Sequence, residues 1–484
     1  MVHVKLSRHS FVRRYEDIGL ILNQRNRSDL VFDQVGAVFL EHLPRTPRPV
    51  EKLAAELASQ FVGTTPEEIG RDFQAFVSDL EKQRFVLTGN DPSELDARDA
   101  AFVPTKRLPG PPRSTDGGLN VQSSDLLLTR HFVKHPRLFS LQIEASGRCN
   151  ERCLHCYFPW DAMKTHPMLD TALLLDVLDQ LVPLGTMEAT FTGGEPLLNR
   201  DLPLLMERAR CNDLSISLLT NAVLFTSETI PMLQAFNVGL VQISVYSTTE
   251  AVHDKITGVV GSCRKSMAAV EQLADAGIPV EVGCPVMKEN LETFGDVLLW
   301  GQRLGIKVDP NLIIMAKKNL DRANLVHRLT IEECEKAMQT IFRYDTRYHS
   351  VLLGSGSQGR PKDPELPLCA IGGYMMCLGA NGDYYPCPGF ALPLGSALTQ
   401  SVREVWETSP KIRELRAIRS KSYPGCLSCE SWDYCPLCAS RHYSETGSLL
   451  TLSEHVCDVT HLNRRMAIEW KAKQPQPESV CAHE

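Results

Sequence analysis

The sequence predicts an α/β protein built around a partial, TIM-like (β/α)6 barrel. Three observations indicate this fold class: six short buried strand patterns alternate with helix patterns, a small mixed unit precedes them, and a cysteine-rich region follows. Repeated strand–helix units produce a parallel sheet, and functional residues collect at the carboxyl ends of its strands. We therefore expect an N-terminal winged-helix-like α+β domain, the barrel, and a C-terminal cysteine-rich domain.

Changes in composition suggest the domain boundaries. Residues 1–90 form the N-terminal unit, 91–138 a linker rich in turn residues, 139–348 the partial barrel, and 349–484 the cysteine-rich domain. A chain of 484 residues has room for several hydrophobic cores. The six barrel strands are expected at 141–145, 188–191, 215–219, 241–245, 280–284 and 311–314.

The N-terminal unit reads as a small antiparallel sheet followed by three helices. Short apolar stretches at 11–12, 18–22 and 30–32 predict the strands. Asp33 is expected to cap the first helix, and Thr65 and Glu68 form a capping box for the third. This order of elements is the outline of a winged helix, which often binds DNA.

The charge of this unit does not support DNA binding. Residues 1–90 contain twelve Lys or Arg and twelve Asp or Glu, so they lack the basic surface that phosphate contacts need. A peptide partner fits better than nucleic acid. The alternative is an accessory domain that only packs against its neighbour.

Overall composition excludes several other classes of protein. Apolar residues make up 43% and charged residues 23%, and no apolar run approaches the ~18 residues of a membrane span. The net charge of −7 provides no general attraction to nucleic acid or anionic membranes. No secretory signal is visible in the first thirty residues, so we expect a cytoplasmic protein. In that compartment sixteen cysteines predict metal binding, catalysis or burial rather than disulfides.

Three cysteines follow the first predicted barrel strand. Cys149, Cys153 and Cys156 are separated by three and two residues, which suits one corner of an iron–sulfur cluster. Since a complete cluster normally takes four cysteines, three ligands leave one iron open. A zinc knuckle is the alternative, although structural zinc takes four protein ligands.

A glycine pair and an acidic residue follow the second predicted strand. Gly193 and Gly194 let the backbone approach a ligand, and Glu195 supplies a carboxylate for an ammonium group. Together with the cysteine loop, this segment resembles the radical S-adenosylmethionine (SAM) superfamily. The resemblance implies that the open iron of a [4Fe–4S] cluster binds SAM, and that a 5′-deoxyadenosyl radical then removes a substrate hydrogen. It also implies cofactor contacts at His155, Asn221 and Ser244.

Eight more cysteines lie between positions 369 and 457. Two Cys-x2-Cys pairs usually indicate a zinc ribbon, but the gap of five residues between them is too short, and eight thiolates exceed one zinc site. The arrangement resembles the SPASM extension of radical SAM enzymes, which carries two auxiliary [4Fe–4S] clusters. The resemblance assigns the first auxiliary cluster to Cys369, Cys377, Cys387 and Cys438. It assigns the second to Cys426, Cys429, Cys435 and Cys457.

One departure from the SPASM pattern concerns Cys438. The gap before it has two residues where the family has three, so ligation by Cys438, like that by Cys377, stays open. Three clusters predict about twelve irons per chain. Burial is the expectation for most of the remaining cysteines, which are Cys211, Cys263, Cys284, Cys334 and Cys481.

The N-terminal unit resembles the PqqD-like recognition element of enzymes that mature ribosomal peptides. The resemblance rests on residues 12–19, 35–40 and 85–87. It implies that a leader peptide adds as a strand beside residues 29–32 and lies against the helix at 67–83.

The resemblances together imply a peptide-modifying radical SAM enzyme that installs a thioether, carbon–carbon or ether cross-link. The expected partners are the leader of a precursor peptide and a flavodoxin- or ferredoxin-type reductant; no nucleic acid or membrane is expected. A formylglycine-forming maturase of the anaerobic sulfatase type is one alternative, but Pro388 stands after Cys387 where such enzymes have an Asp. A non-enzymatic electron carrier or peptide chaperone is the other, and the intact Glu195 segment argues against it. No side chain is assigned as a catalytic acid or base.

Overall fold

A computed structural model describes residues 1–26, 28–100, 124–159, 168–345, 362–367, 371–435 and 438–473. Cys369 and Cys481 lie outside the described residues. The predicted fold class is confirmed: a partial α/β barrel lies between a small N-terminal α+β unit and a cysteine-rich C-terminal region.

Two small sheets and three helices form the N-terminal unit. Its elements are β1 (His3–Leu6), β2 (Ser10–Tyr15), β3 (Ile18–Asn23), β4 (Ser28–Phe32), α1 (Gln34–Glu41), β5 (Arg48–Pro49), α2 (Val50–Ala58), α3 (Pro66–Lys82) and β6 (Val86–Gly89). The predicted antiparallel sheet is present, with strand order β2-β3-β4. A second sheet, absent from the prediction, pairs β1 with β5 and with β6.

The first and third helices begin at the predicted caps. The Asp33 side chain accepts a hydrogen bond from the backbone N–H of Gly36 at 3.1 Å. Thr65 and Glu68 form the capping box at the start of α3. The periodic apolar residues of α3 then face the core of the unit, where Phe73 is fully buried.

Two helices occur in the segment expected to be a linker. They are α4 (Pro92–Ala100) and α5 (Ser124–Lys134). An ion pair of 2.8 Å between Lys5 and Asp96 connects α4 to the start of the N-terminal unit. Phe132 of α5 is buried in an apolar cluster that also includes residues of β2, β3 and the barrel. The described parts of this segment therefore pack against the folded units.

Six parallel strands alternate with helices in the barrel. The elements are β7 (Ser140–Ser146), α6 (Thr171–Leu181), β8 (Glu188–Gly193), α7 (Leu202–Cys211), β9 (Ser215–Thr220), α8 (Thr229–Ala235), β10 (Leu240–Ser244), α9 (Glu250–Thr257), α10 (Ser262–Asp275), β11 (Val280–Pro285), α11 (Phe294–Leu304), β12 (Lys307–Asn311) and α12 (Ile331–Tyr344). Each strand pairs with the next one along the chain. Their carboxyl ends therefore meet at one edge, as predicted.

The sixth strand begins and ends earlier than predicted. The sequence placed it at 311–314, where the apolar residues are indeed buried, but that stretch lies almost entirely beyond β12. Strand β12 contains Pro310 and is the edge strand of the sheet, a position where proline is tolerated.

The cysteine-rich region continues the barrel sheet. Its elements are β13 (Met375–Leu378), β14 (Asp383–Tyr385), β15 (Gly395–Ser396), α13 (Val402–Thr408), α14 (Pro410–Ala417), α15 (Pro424–Leu427), α16 (Ala439–Thr446) and α17 (Glu454–Lys473). Strand β13 pairs in parallel with β7, and β14 and β15 follow as antiparallel strands. The sequence did not predict this shared sheet of nine strands.

The C-terminal helix α17 returns to the barrel. Its Trp470 ring stacks on Phe342 of α12, with 5.1 Å between ring centroids, and its Arg465 pairs with Glu335 at 2.7 Å. At 20 residues it is long, but no helix in the described part of the chain is apolar enough over such a length to cross a membrane.

The N-terminal unit contacts the barrel at the amino ends of the strands. The Tyr15 hydroxyl donates to a backbone carbonyl just before β8 at 3.0 Å. Arg13 pairs with Asp213, before β9, at 3.0 Å. The Gln24 side chain donates to the carbonyl of Asn237, before β10, at 2.6 Å. The unit therefore lies at the end of the barrel opposite the carboxyl ends of the strands.

Gly19 marks a tight crossing between β3 and α1, because a Cβ added there would lie 2.6 Å from the Cα of Ala37. We expect Gly19→Ala to destabilise the N-terminal unit by about 1–3 kcal/mol, the usual cost of overpacking a core. Gly70 in α3 has open space around it, so Gly70→Ala should stabilise the helix by up to ~1 kcal/mol. Hydrogen exchange of the β2 and β3 amides in the full chain measures both changes. Unchanged protection in Gly19→Ala would contradict the tight crossing.

Candidate functional site

The first cysteine loop leaves the carboxyl end of β7. Its three cysteines, each a partly exposed residue, are Cys149, Cys153 and Cys156. The backbone N–H of Arg152 donates to the carbonyl of Thr257, at the end of α9, at 2.7 Å. On the other side, the Asn324 side chain donates to the carbonyl of His155 at 3.1 Å. Hydrogen bonds on both sides thus fix the backbone conformation of the loop.

The glycine pair after β8 packs directly against this cysteine loop. A Cβ on Gly194 would lie 2.3 Å from the carbonyl oxygen of Arg148, and one on Gly193, whose φ is +135°, would lie 2.3 Å from that of Ser146. The backbone N–H groups of Gly194 and Glu195 donate to the same two carbonyls, each at 2.8 Å. The close approach that the sequence indicated therefore includes the loop itself.

Glu195 is fully buried, and its carboxylate points toward the end of β9. One oxygen accepts from the Thr220 hydroxyl at 2.6 Å and from the Leu197 N–H at 3.0 Å; the other accepts from the Asn221 N–H at 2.8 Å. Burial raises the pKa of Glu195 to about 7, against the opposing effect of these hydrogen bonds. Three of about four acceptor positions are filled, which leaves one for an ammonium group.

Asn221 connects the third strand to the cysteine loop. Its side-chain N–H donates to Asn150 at 2.8 Å and lies 3.8 Å from the Cys149 sulfur. Its side-chain oxygen accepts from the Val223 N–H at 3.1 Å. The amide is therefore fixed beside the first cysteine, at the position where the resemblance expects a cofactor contact.

The sequence analysis did not identify Tyr246, which lies between the two remaining predicted cofactor contacts, His155 and Ser244. Its ring meets that of His155 edge to face at 5.0 Å, and its side chain is hydrogen-bonded to Ser244. Its hydroxyl donates to the Cys153 sulfur at 3.6 Å. Burial, with a smaller effect from His327, lowers the pKa of His155 to about 4, so this ring is neutral at pH 7. An aromatic residue two positions after a strand-end serine was the available signal.

Several buried polar atoms around the cysteine loop have no hydrogen-bond partner among the described residues. They are Asn150 Nδ2, Glu151 Oε1, His155 Nδ1 and Asn324 Oδ1. Buried polar atoms are normally satisfied, so a group of orphans in one place indicates a missing polar ligand. The amino, carboxylate and ribose groups of SAM supply suitable donors and acceptors. The residues present therefore fit this cofactor beside a cluster with one open iron.

The structure brings together the four cysteines assigned to the second auxiliary cluster. They line one cavity of ≈ 370 Å³, counting the space at its mouth, and are Cys426, Cys429, Cys435 and Cys457. Trp432 and Leu452 provide apolar wall, while Thr460, His442 and His461 add polar groups. Four cysteines around a largely apolar cavity are the usual setting of a [4Fe–4S] cluster.

Three cysteines assigned to the first auxiliary cluster lie near one another, and the fourth, Cys369, is outside the described residues. Cys377 is fully buried in β13, and Cys387 follows β14, the partner of β13 in the hairpin. Cys438 contacts the Ser440 hydroxyl at 3.1 Å, and the same hydroxyl is hydrogen-bonded to Cys387. Burial, followed by the charge of Cys438, raises the pKa of Cys387 to about 11. Cys438 is thus beside Cys387 and is not part of the second cavity's lining.

A buried ion pair separates the first cysteine loop from Cys377. Lys318 pairs with Glu144 of β7, whose other oxygen accepts from the Ala380 N–H at 3.0 Å. Burial lowers the pKa of Lys318, but neighbouring negative charge, above all that of Glu144, outweighs it and raises the pKa overall. Three rings surround the ammonium group at 5.7, 5.2 and 5.1 Å, those of Tyr157, Phe158 and Tyr385. Sequence patterns carried no signal for this long-range pair.

The cysteines outside the three sets differ in burial. Cys263, Cys284 and Cys334 are buried as expected, whereas Cys211 is exposed at the end of α7. In the described part of the chain, no three His, Cys, Asp or Glu side chains converge closely enough to hold a single metal ion.

The close contact between Gly194 and the cysteine loop predicts that a side chain at this position would disturb the first cluster. We expect Gly194→Ala to displace the cysteine loop, because the new Cβ would meet backbone, and to cost about four irons per chain after anaerobic reconstitution. Gly283→Ala is the matched control: it changes a glycine of β11 in the same sheet, where the nearest atom would be 3.8 Å from the Cβ. Iron analysis of both variants shows whether only Gly194→Ala loses iron. Full iron content in Gly194→Ala would contradict the expected displacement.

Comparison with protein families finds three matches along the chain. Residues 143–301 match the radical SAM superfamily. Residues 369–430 match an iron–sulfur cluster-binding domain named SPASM. Residues 20–86 match coenzyme PQQ synthesis protein D, named PqqD.

Three curated relatives are about a quarter identical to this chain over the aligned residues. An AdoMet-dependent heme synthase of Methanosarcina barkeri is 24% identical over 338 residues, which are 65% of this chain and 94% of the relative. A PqqA peptide cyclase of Gluconobacter oxydans is 27% identical over 60% of this chain and 82% of its own. A mycofactocin maturase of Mycobacterium ulcerans is 26% identical over 60% of this chain and 80% of its own.

Solved structures share the fold. SuiB of Streptococcus suis bound to S-adenosylmethionine aligns with a TM-score of 0.59 at 15% identity, over 94% of this chain and 99% of SuiB. The enzyme anSMEcpe with bound AdoMet and a peptide aligns with a TM-score of 0.53 at 20% identity, over 69% of this chain and 97% of its own. Along the chain the three matches follow in the order PqqD, radical SAM and SPASM, so the chain contains a PqqD-like domain, a radical SAM domain and a SPASM domain.

Proposed function

We propose that this chain binds the leader of a ribosomally made precursor peptide and installs an intramolecular cross-link in its core. The bond is a thioether, a carbon–carbon bond or an ether bond, and two hydrogens leave the peptide for each bond formed. When bound, SAM and a reduced [4Fe–4S] cluster supply the radical that removes the first hydrogen. The second would leave as a proton, and an auxiliary cluster held by the cysteines of the C-terminal region would accept the remaining electron. An external flavodoxin- or ferredoxin-type protein supplies the reducing electron.

The observation that carries this proposal is the edge strand of the PqqD-like unit. Strand β4 is last in its sheet, and within the described residues its outer edge pairs with no strand, while helix α5 also contacts β4. Phe32 of β4 and Phe76 of α3 are partly exposed beside it, with 5.1 Å between their ring centroids. The side chain of Val35 is also half exposed. A strand edge without a pairing strand, next to an apolar surface, suits a peptide that binds as an added strand.

The barrel residues provide binding and orientation for the cofactor. Glu195 and Asn221 hold the ends of two strands against the first cysteine loop, and one acceptor position of Glu195 stays free for the amino group of SAM. The neutral ring of His155, packed on Tyr246, offers a surface for the adenine. Buried apolar neighbours of Tyr246, such as Met287 and Ile314, exclude water from this side of the site.

The auxiliary clusters serve electron transfer in this proposal. Four cysteines line the second cavity, so a [4Fe–4S] cluster there would have a complete ligand set and would leave no open iron for a substrate thiolate. Cys377, Cys387 and Cys438 provide three ligands for the first auxiliary cluster, and Cys369 is assigned as the fourth. With both clusters bound, an electron from the peptide would have two acceptors inside the chain.

Relatives support a peptide as the substrate. Two of them are named as a PqqA peptide cyclase and a mycofactocin maturase, and one similar solved structure is SuiB bound to the precursor peptide SuiA. Heme synthases are also among the relatives. The PqqD match at residues 20–86 favours the peptide over a heme precursor. The formylglycine alternative is disfavoured because Pro388, which follows Cys387, cannot act as a base.

The central test is the reaction itself. The anaerobically reconstituted chain should bind about twelve irons, form 5′-deoxyadenosine under strong reductant, and lower the mass of its precursor peptide by about 2 Da per link. Cys153→Ala should form no 5′-deoxyadenosine, whereas Cys211→Ala, which changes an exposed cysteine outside the clusters, should react normally. A product that gains one oxygen, or whose mass does not change, would contradict the cross-link.

The leader-binding surface has its own test. Phe76→Glu places a charge on the apolar surface beside β4 and should weaken binding of a labelled leader peptide at least tenfold, about 1.4 kcal/mol. Gln74→Glu adds a charge to an exposed position on another face of α3 and should leave binding within about twofold of the unchanged chain. Fluorescence anisotropy measures both affinities. Equal affinities of the two variants would place the leader elsewhere.

A further inference from the structure

One histidine of the second auxiliary cavity has a ring nitrogen without a partner. His442, in α16, is 4% exposed and lines the cavity together with four cysteines. Its Nδ1 accepts a hydrogen bond from the backbone N–H of Ser453 at 2.9 Å. Its Nε2 is buried and has no partner among the described residues.

The contact with Ser453 determines which nitrogen of His442 carries the proton. A backbone N–H can only donate, so Nδ1 must present its lone pair. The neutral ring then carries its hydrogen on Nε2, which is a donor with nothing to receive it. A buried donor left unsatisfied costs about 1–3 kcal/mol, so a missing acceptor is expected here.

The other polar groups of the cavity are less restricted or already have partners. Nδ1 of His461 is hydrogen-bonded to the Ser431 hydroxyl at 2.8 Å, and His461 is an exposed residue. The Thr460 hydroxyl donates to the carbonyl of Val456 at 2.8 Å and lies 3.8 Å from the Cys435 sulfur. Among the described residues that line the cavity, His442 is therefore the one with a buried donor that has no partner.

We propose that the Nε2–H of His442 donates a hydrogen bond to a sulfur of the second auxiliary cluster and so raises the reduction potential of that cluster. The inference rests on the proposed function, which assigns a [4Fe–4S] cluster to this cavity. Ligation of iron by His442 is disfavoured, because Nε2 would have to lose its hydrogen while Nδ1 continues to accept. A donor directed at a cluster sulfur stabilises the reduced, more negative state.

This hydrogen bond would make the second auxiliary cluster a better electron acceptor than the same cluster without the donor. A hydrogen bond in a buried, largely apolar site is electrostatically stronger than one in water, so a single donor there can change the potential measurably. In this proposal His442 contacts the cluster and adjusts its reduction potential. It does not contact the substrate or SAM.

The test compares midpoint potentials in the fully reconstituted chain, measured by redox titration with electron paramagnetic resonance. His442→Phe keeps the ring volume and removes the donor, so one potential should shift to a more negative value while the other two stay unchanged. His442→Gln restores an N–H donor and should move the potential back toward that of the original chain. His455→Phe is the matched control, since His455 also has a buried, unpartnered Nε2 but does not line the cavity, and it should shift no potential.

Two results separate failure of this inference from failure of the proposed function. Full iron content with three unshifted potentials in His442→Phe overturns the inference alone. An original chain with fewer than about twelve irons, or a Cys457→Ala variant that loses no iron, overturns the assigned cluster set.

A second measurement covers the case in which His442→Phe fails to hold its cluster. Pulsed paramagnetic resonance of the original chain after exchange into D2O should show a deuteron coupled to the second auxiliary cluster. Absence of that coupling overturns the inference.

Discussion

Strand β7 is paired on both of its edges, and this double pairing sets the relative positions of the candidate sites. Ser140 pairs with Glu188 of β8 on one side and with Met375 of β13 on the other. The first cysteine loop follows β7, the glycine pair ends β8, and Cys377 lies in β13. Because hydrogen-bonded strands cannot slide freely, the register of one strand fixes the distance between the first loop and the auxiliary hairpin.

The buried Lys318–Glu144 pair reinforces this arrangement from the side chains. Glu144 is a residue of β7, and it also accepts from the backbone next to β13. A buried carboxylate that lost its partner would be an uncompensated charge, which costs about 3–5 kcal/mol. The pair therefore favours one placement of the barrel against the cysteine-rich region, and it puts a positive charge beside Cys377.

Local patterns predicted those features that depend on neighbouring residues. The cap at Thr65, the cysteine spacings and the strand–helix alternation are all short-range signals, and the capped helix and the alternation are present in the structure. Long-range features escaped prediction: the pairing of β1 with β6, the sheet shared with β13, and the contacts of Lys318 join segments far apart in the chain. The shift of β12 has another cause, because buried apolar residues such as Leu312 look alike in a strand and in an irregular loop.

The place where the N-terminal unit docks has a consequence for the substrate. Its contacts lie before β8, β9 and β10, whereas the first cysteine loop and Glu195 lie beyond the opposite ends of the strands. Strand β8 has six residues and rises about 20 Å, so a peptide held at the recognition unit must cover at least that height to reach the site. If the chain acts as proposed, the advance of an extended chain, about 3.5 Å per residue, requires roughly six unmodified residues between the bound leader and the first reacting side chain. Residues closer to the leader would then not reach the site.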